Sequence, residues 1–230
     1  MSTSGHHTVA ERYRSWVLER VDGVPPLADV GVEIVDDIAA HQRRKLWLLN
    51  GPHSALAYGG LLAGHATIAG ATADPVVATF VRRLVDDVLE VAEDLGPAAP
   101  GFAAASLERF RNPALRHTCA QVGADGSRKL PQRILPVMAA RRRQGRSTHR
   151  HATVVAAWLA AVTATPIRGR ALSTVDDPAA VDLQRALSEH GAARAAERAV
   201  GRDHVEAVPE ITAAFDEVTR FGVRALEERR

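Results

Sequence analysis

Residues 74–95 read DPVVATFVRRLVDDVLEVAEDL, and this stretch sets the fold class. Asp74 is a helix-capping residue, and Pro75 suits the first helical position, where a missing N–H costs nothing. Val77, Phe80, Val81, Leu84, Val88 and Val91 then recur at helical spacing, which predicts a helix with one apolar face running to Leu95. The same cap-plus-proline chemistry returns at Asn112-Pro113, predicting a helix to about Val122, and at Asp177-Pro178, predicting another.

Outward from this stretch the helical signals continue. On the N-terminal side, His41 to Leu49 reads as a helix that Pro52 interrupts, because an interior proline removes a donor and clashes with the preceding turn. A second helical run from His53 to about Ile68 is rich in small residues that let other backbones approach closely. On the C-terminal side, Phe102 to Phe110 forms a short helix. Arg128 to Arg143 is helical and kinked or divided by Pro131 and Pro136, and Thr153 to Thr165 is a buried helix. The last helix spans about Glu210 to Glu228. The N-terminal end is less regular. Tyr13, Trp16, Val17 and Leu18 form an apolar cluster, Asp22 to Pro26 a turn, and Val30 to Val35 a short strand. The expectation is an all-α domain over residues 13–230, with an irregular arm and a loose N-terminus at 1–12.

Composition agrees with this reading. The 230 residues are 46% hydrophobic and only 4% aromatic, which suggests closely packed helices rather than sheets. The net charge of +2 implies no general affinity for nucleic acid. With Cys119 alone no intrachain disulfide forms, which fits a reducing cytoplasm. No apolar run reaches the length of a membrane span, and Met1 to Thr8 is polar, so no membrane partner is expected.

Chemistry concentrates between Lys45 and His53, KLWLLNGPH. At about 100° per residue, an unbroken helix places Asn50 roughly 140° and His53 roughly 80° from Lys45. The three thus share a broad face, which the Gly51-Pro52 break re-aims. Such a set suits alcohol/carbonyl redox chemistry. A desolvated lysine accepts a hydroxyl proton, while an amide and an imidazole hold the oxygen as charge develops. Spacing does not establish this by itself, since such a trio is more often a surface or packing feature.

The stretch from Lys45 to Tyr58 resembles the lysine-asparagine-histidine signature of the mannitol dehydrogenase/fructuronate reductase family, the polyol-specific long-chain dehydrogenases. Further matches are Phe110 to His117, Asp125 to Pro136, a weaker one from Gly31 to Asp37, and Arg168-Gly169 followed by Asp177-Pro178. The likeness runs from about Tyr13 to Leu226.

The resemblance implies the C-terminal helical substrate domain of an oxidoreductase. It would interconvert a polyol or aldonate and its keto sugar or keto sugar acid. It implies Lys45 as general acid/base, Asn50 and His53 as groups that bind and polarise the reacting oxygen, and Lys129 and Arg133 as substrate-binding residues. It also implies NAD or NADP as cofactor, without a metal, and direct hydride transfer. Two departures stand in the first motif: Pro52 replaces a usual small polar residue, and Trp47 a usual basic or polar one.

No Gly-x-Gly-x-x-Gly turn occurs in the sequence, and Gly59-Gly60 with Gly64 has the wrong spacing and sits in a helical pattern. The expectation is therefore that the cofactor is bound mainly by a nucleotide-binding domain missing from this chain, either a separate Rossmann-domain subunit acting as its partner or a part lost in truncation. A face left apolar by that loss would favour a homo-oligomer. The alternative is a non-catalytic sugar-acid binder or a protein-interaction module.

Other features read as structural. His6-His7 and His149-Arg150-His151 lack the further ligands of a closed metal site and are expected in solvated loops. Arg141, Arg142, Arg143 and Arg146 read as favourable charge at a helix C-terminus. Cys119 and Trp158 read as core, and Asp36-Asp37 as a cap near Ile38.

Overall fold

The structure, a computed structural model, describes residues 16–23 and 27–227. It divides into two units, residues 1–42 and 43–230.

The first unit contains two three-residue strands, β1 (Val17–Glu19) and β2 (Glu33–Val35), paired in parallel with Leu18 opposite Ile34. The expected strand at 30–35 is thus shortened to its second half. Its partner lies in what read only as an apolar cluster. Asp37 accepts the Ala39 N–H at 2.7 Å, the expected cap, whereas Asp36 instead pairs with Arg20 at 2.8 Å. The expected loose segment 1–12 and His6-His7 lie outside the described residues.

The remainder is helical, as anticipated: α1 (Ala39–Lys45), α2 (Gly51–Ala63), α3 (Ile68–Ala73), α4 (Pro75–Leu89), α5 (Ala99–Phe110), α6 (Cys119–Gly123), α7 (Gly126–Arg133), α8 (Leu135–Arg143), α9 (His149–Val162), α10 (Ala180–Val200) and α11 (Val208–Phe221). Asp74 caps α4 by accepting from Val76 and Val77 at 2.9 and 3.1 Å. Helix α4 buries Val77, Phe80, Val81, Leu84, Val85 and Val88. Each such side chain contributes about 1.5–3 kcal/mol on leaving water. The helix ends at Leu89 rather than Leu95, and Glu93–Leu95 forms a separate 3-10 turn.

The core is built round α9, which is buried from His151 to Val162 and packs on α2, α10 and α11. Trp158 and Cys119 are fully buried, as read. Small residues in α2 permit the close packing. A Cβ on Gly60 would fall 2.7 Å from Ala71 Cβ and 2.8 Å from Cys119 Sγ.

Several expectations are corrected. Asn112-Pro113 starts only a 3-10 turn, Pro113–Leu115, and a new helix begins at Cys119 behind a Thr118/Gln121 capping box. Residues 149–151 are not a solvated loop: they open α9, and His151 is 1% exposed. Arg141, Arg142 and Arg143 do stand in the last turn of α8, as read, but Arg141 is not left to solvent. It is 4% exposed and bridges Asp87 and Glu90, each at 2.9 Å. Burying a guanidinium costs more than a dipole returns, and these carboxylates repay it. Among the described residues no helix is long and apolar enough to cross a membrane.

Candidate functional site

Pro52 does not interrupt the helix, contrary to its reading as a breaker. The chain runs from α1 into α2 through a π-helical turn, Leu46–Asn50, closed by the Gly51 N–H on the Leu46 carbonyl. Proline brings no N–H for the carbonyl four residues back and its ring clashes there. A wider turn relieves the clash and places Pro52 in the first turn of α2, where it is tolerated. Turns of this kind are frequent at functional sites. In an i→i+5 turn, residues five apart lie nearly over one another. Lys45 and Asn50 are therefore brought closer to one line than the roughly 140° of a regular helix.

The turn is fastened on two sides. Leu48 is fully buried with Val85, Val88, Leu95 and Val137. Trp47 Nε1 donates to the Gln132 carbonyl at 3.2 Å, and the Asn50 carbonyl accepts from Arg133 Nη1 at 3.5 Å. Gly51 is pressed against α7, where a Cβ would stand 3.1 Å from the Arg133 carbonyl oxygen.

Helix α7 is held equally firmly. Asp125, in left-handed backbone at φ 55°, enters it, and Gly126 follows. A Cβ on Gly126 would fall 2.2 Å from Trp158 Nε1 and 2.7 Å from Tyr58 Oη. Asp177 Oδ2 then accepts from the Ser127 N–H at 2.9 Å and from Trp158 Nε1 at 3.2 Å. Tyr58 donates to the Gly123 carbonyl at 2.9 Å, and burial, with Asp177 nearby, raises its phenol far above the usual range. The Asp-Gly-Ser motif therefore fixes the direction in which α7 presents Lys129 and Arg133, one turn apart.

His53, on the first turn of α2, stacks on Phe110 with ring centroids 4.7 Å apart and sits 5.5 Å from the His117 ring. Its Nε2 is buried without a hydrogen-bond partner. Burial lowers its pKa to about 4, assisted by the positive groups His117, Arg133, Lys129 and Arg109. His53 is thus neutral near pH 7 and can donate from one ring nitrogen. Burial, followed by Arg133, also lowers the pKa of half-buried Lys129, whose Nζ lies 3.4 Å from the Val122 carbonyl.

The structure gathers His53, Lys129, Arg133 and the Asn50 backbone. Lys45 is exposed, makes no hydrogen bond or ion pair among the described residues, and is not among the charges acting on His53. Sequence reasoning did not single out Ser54, Arg109, Phe110 or His117 as site residues. Of these, Phe110 and His117 lay at the ends of a quoted motif, and they also border a hollow with Thr67, Ile68 and Asn112. Among the described residues no cluster of His, Cys, Asp and Glu could hold a metal ion.

Residues 37–220 match the mannitol dehydrogenase C-terminal domain. The D-mannonate oxidoreductase of Escherichia coli K12 is 32% identical over 93% of this chain and 46% of its own length. The Saccharomyces cerevisiae protein called mannitol dehydrogenase DSF1 is 36% identical over 80% of this chain and 37% of its own. The structure resembles Pseudomonas fluorescens mannitol 2-dehydrogenase, solved as a ternary complex with NAD and D-mannitol, with a TM-score of 0.78. That likeness has 29% identity and covers 92% of this chain and 45% of the other. The chain spans about half the length of the curated relatives it matches. On the evidence of the ordered motifs, the fold and these matches, the chain belongs to the mannitol dehydrogenase family, whose C-terminal domain it carries.

Proposed function

We propose that this chain is the substrate-binding half of an NAD(P)-dependent oxidoreductase. It would interconvert a polyol or aldonate and the matching keto sugar or keto sugar acid. The observation that carries the reading is the site held by the π turn and α7. A neutral imidazole with an unpaired buried nitrogen stands there beside two half-buried cations, each at a motif position.

In this reading His53 and the Asn50 amide hold the reacting oxygen, and Lys129 and Arg133 orient the rest of the substrate. Lys45 Nζ takes or returns the hydroxyl proton. The residues of this chain do not fit a dinucleotide: no glycine-rich strand-to-helix turn or βαβ unit occurs in the sequence. The nicotinamide is held by a nucleotide-binding part outside these 230 residues, and the steps assigned here end at binding and proton transfer. Cover from that part would take the exposed Lys45 ammonium out of water. Exposed Trp16, Val21 and Val30 in the first unit are apolar surface suited to such a partner or to a second copy of the chain.

The exposure of Lys45 and its lack of contact with His53 favour a second reading, a sugar or sugar-acid binder without catalysis. Mixing the chain with a nucleotide-binding half and following NAD(P)H with fructose, mannitol, fructuronate and mannonate separates the two. Turnover that Lys45→Met reduces by about 10²–10⁴-fold is expected. Turnover indifferent to Lys45→Met, or substrate binding with no turnover, would leave only the binder.

A further inference from the structure

Two arginines, buried Arg141 and half-buried Arg133, are held in different ways. Arg141 is satisfied on every side: Nε on the Ser147 carbonyl, Nη1 on the Asp87 carbonyl and Glu90, and Nη2 on the Asp87 carboxylate. Arg133 has no carboxylate partner among the described residues. Its Nη1 reaches Ser54 Oγ at 3.1 Å and the Asn50 carbonyl at 3.5 Å, while Nε and Nη2 have no partner among the described residues. Neither nitrogen is sealed from solvent. The Nε/Nη2 edge of arginine is a planar two-pronged donor that matches a carboxylate.

The surroundings reinforce the demand for negative charge. Lys129 is one turn earlier on the same helix, and a like-charge pair at that spacing is unfavourable. Arg133 and Lys129 both act on His53, and among the described residues no acidic group is among the groups acting on it. Asp125 and Asp177 reach Lys129 electrostatically, but neither is among the groups acting on Arg133. A neutral polyol would leave the open edge of Arg133 without a counter-charge.

We infer that the preferred substrate is a sugar acid, an aldonate and its keto acid, whose carboxylate is received by the open Nε/Nη2 edge of Arg133. The inference rests on the substrate-half reading and narrows it to one class of substrate. Arg133 becomes the residue that separates sugar acids from neutral polyols. It is held for the task by Ser54 and by the approach of α7 to Gly51.

Calorimetric titration of the chain with mannonate and with mannitol tests this, using Arg133→Met and Arg133→Lys variants whose folding is checked by thermal melting. Mannonate should bind about tenfold or more tightly than mannitol, with an advantage that shrinks as salt rises. Arg133→Met should cost mannonate affinity about tenfold or more and mannitol affinity clearly less, so that the advantage collapses, and Arg133→Lys should restore part of it. Equal affinity for the two ligands, or an equal loss of both in Arg133→Met, would overturn the inference while the substrate-half reading stands. Displacement of mannonate by NAD would reassign the cationic edge to a nucleotide phosphate and overturn it too. Failure of both sugars to bind would remove the reading and the inference together.

Discussion

Helix α7 and the end of α1 carry the two halves of the proposed chemistry, and they are held in opposite ways. Helix α7 begins on a glycine wedged against Trp158 and Tyr58, is tied by Asp177, and abuts Gly51 of the neighbouring α2. Its two cations are half-buried and fixed in direction. Lys45, at the last position of α1, ends in an exposed ammonium with no partner among the described residues. The part proposed to recognise a substrate is prebuilt by this chain's own core. The part proposed to move a proton stands open, as expected of a group completed by another surface.

The largest effect should come from the fastened side. In Gly126→Ala the new methyl would have to displace the fully buried Trp158 ring, an overpacking cost of about 3 kcal/mol. For a body of this size that lowers the melting temperature by roughly 6–12 °C. An unchanged melting curve would show that the start of α7 is not anchored as described.

A smaller effect should follow acid. Burial, the first cause in each case, lowers His53 to about 4 and His151, in the core beside Arg141 and Arg150, to about 3. The unfolded imidazoles titrate near the ordinary value of about 6.5. Between those values the unfolded chain binds more protons than the folded one. Stability is therefore full above about pH 6.5 and declines as pH falls toward 4 and 3. His53→Phe, which keeps a ring on Phe110, should remove part of that decline. Coincident stability–pH curves for variant and parent would contradict a neutral, buried His53.

The smallest structural effect belongs to Lys45. Lys45→Met removes an exposed group with no partner, so stability should stay within about 0.5 kcal/mol of the parent by denaturant titration. A larger loss would mean that Lys45 is a structural residue and would erase the contrast between the two regions.

The helices were legible wherever local chemistry decides them. Asp74-Pro75 and the divided α7–α8 pair around Pro131 and Pro136 act over a few positions. The misreadings share a different cause. Asn112-Pro113 is a sound helix start, yet the chain turns after Leu115 because Thr118 and Gln121 offer a better cap to the next segment. Residues 149–151 read as polar, yet His151 is buried, beside the ion network that Asp87 forms with Arg141 and Arg150. For the site, the family motifs named Lys45, Asn50, His53, Lys129 and Arg133. Their spacing gave no sign that His53 would be stacked on Phe110 and ringed by cations.

The order of residues alone determined the all-α architecture, its caps, and the family to which the motifs belong, because those depend on periodicity and on groups a few positions apart. Tertiary structure alone decided that Pro52 widens a turn rather than ending a helix, that His53 is neutral, and that Arg133 keeps a donor edge free. Each of these follows from what distant segments bring within a few ångströms, and burial and charge at that range fall outside any local pattern.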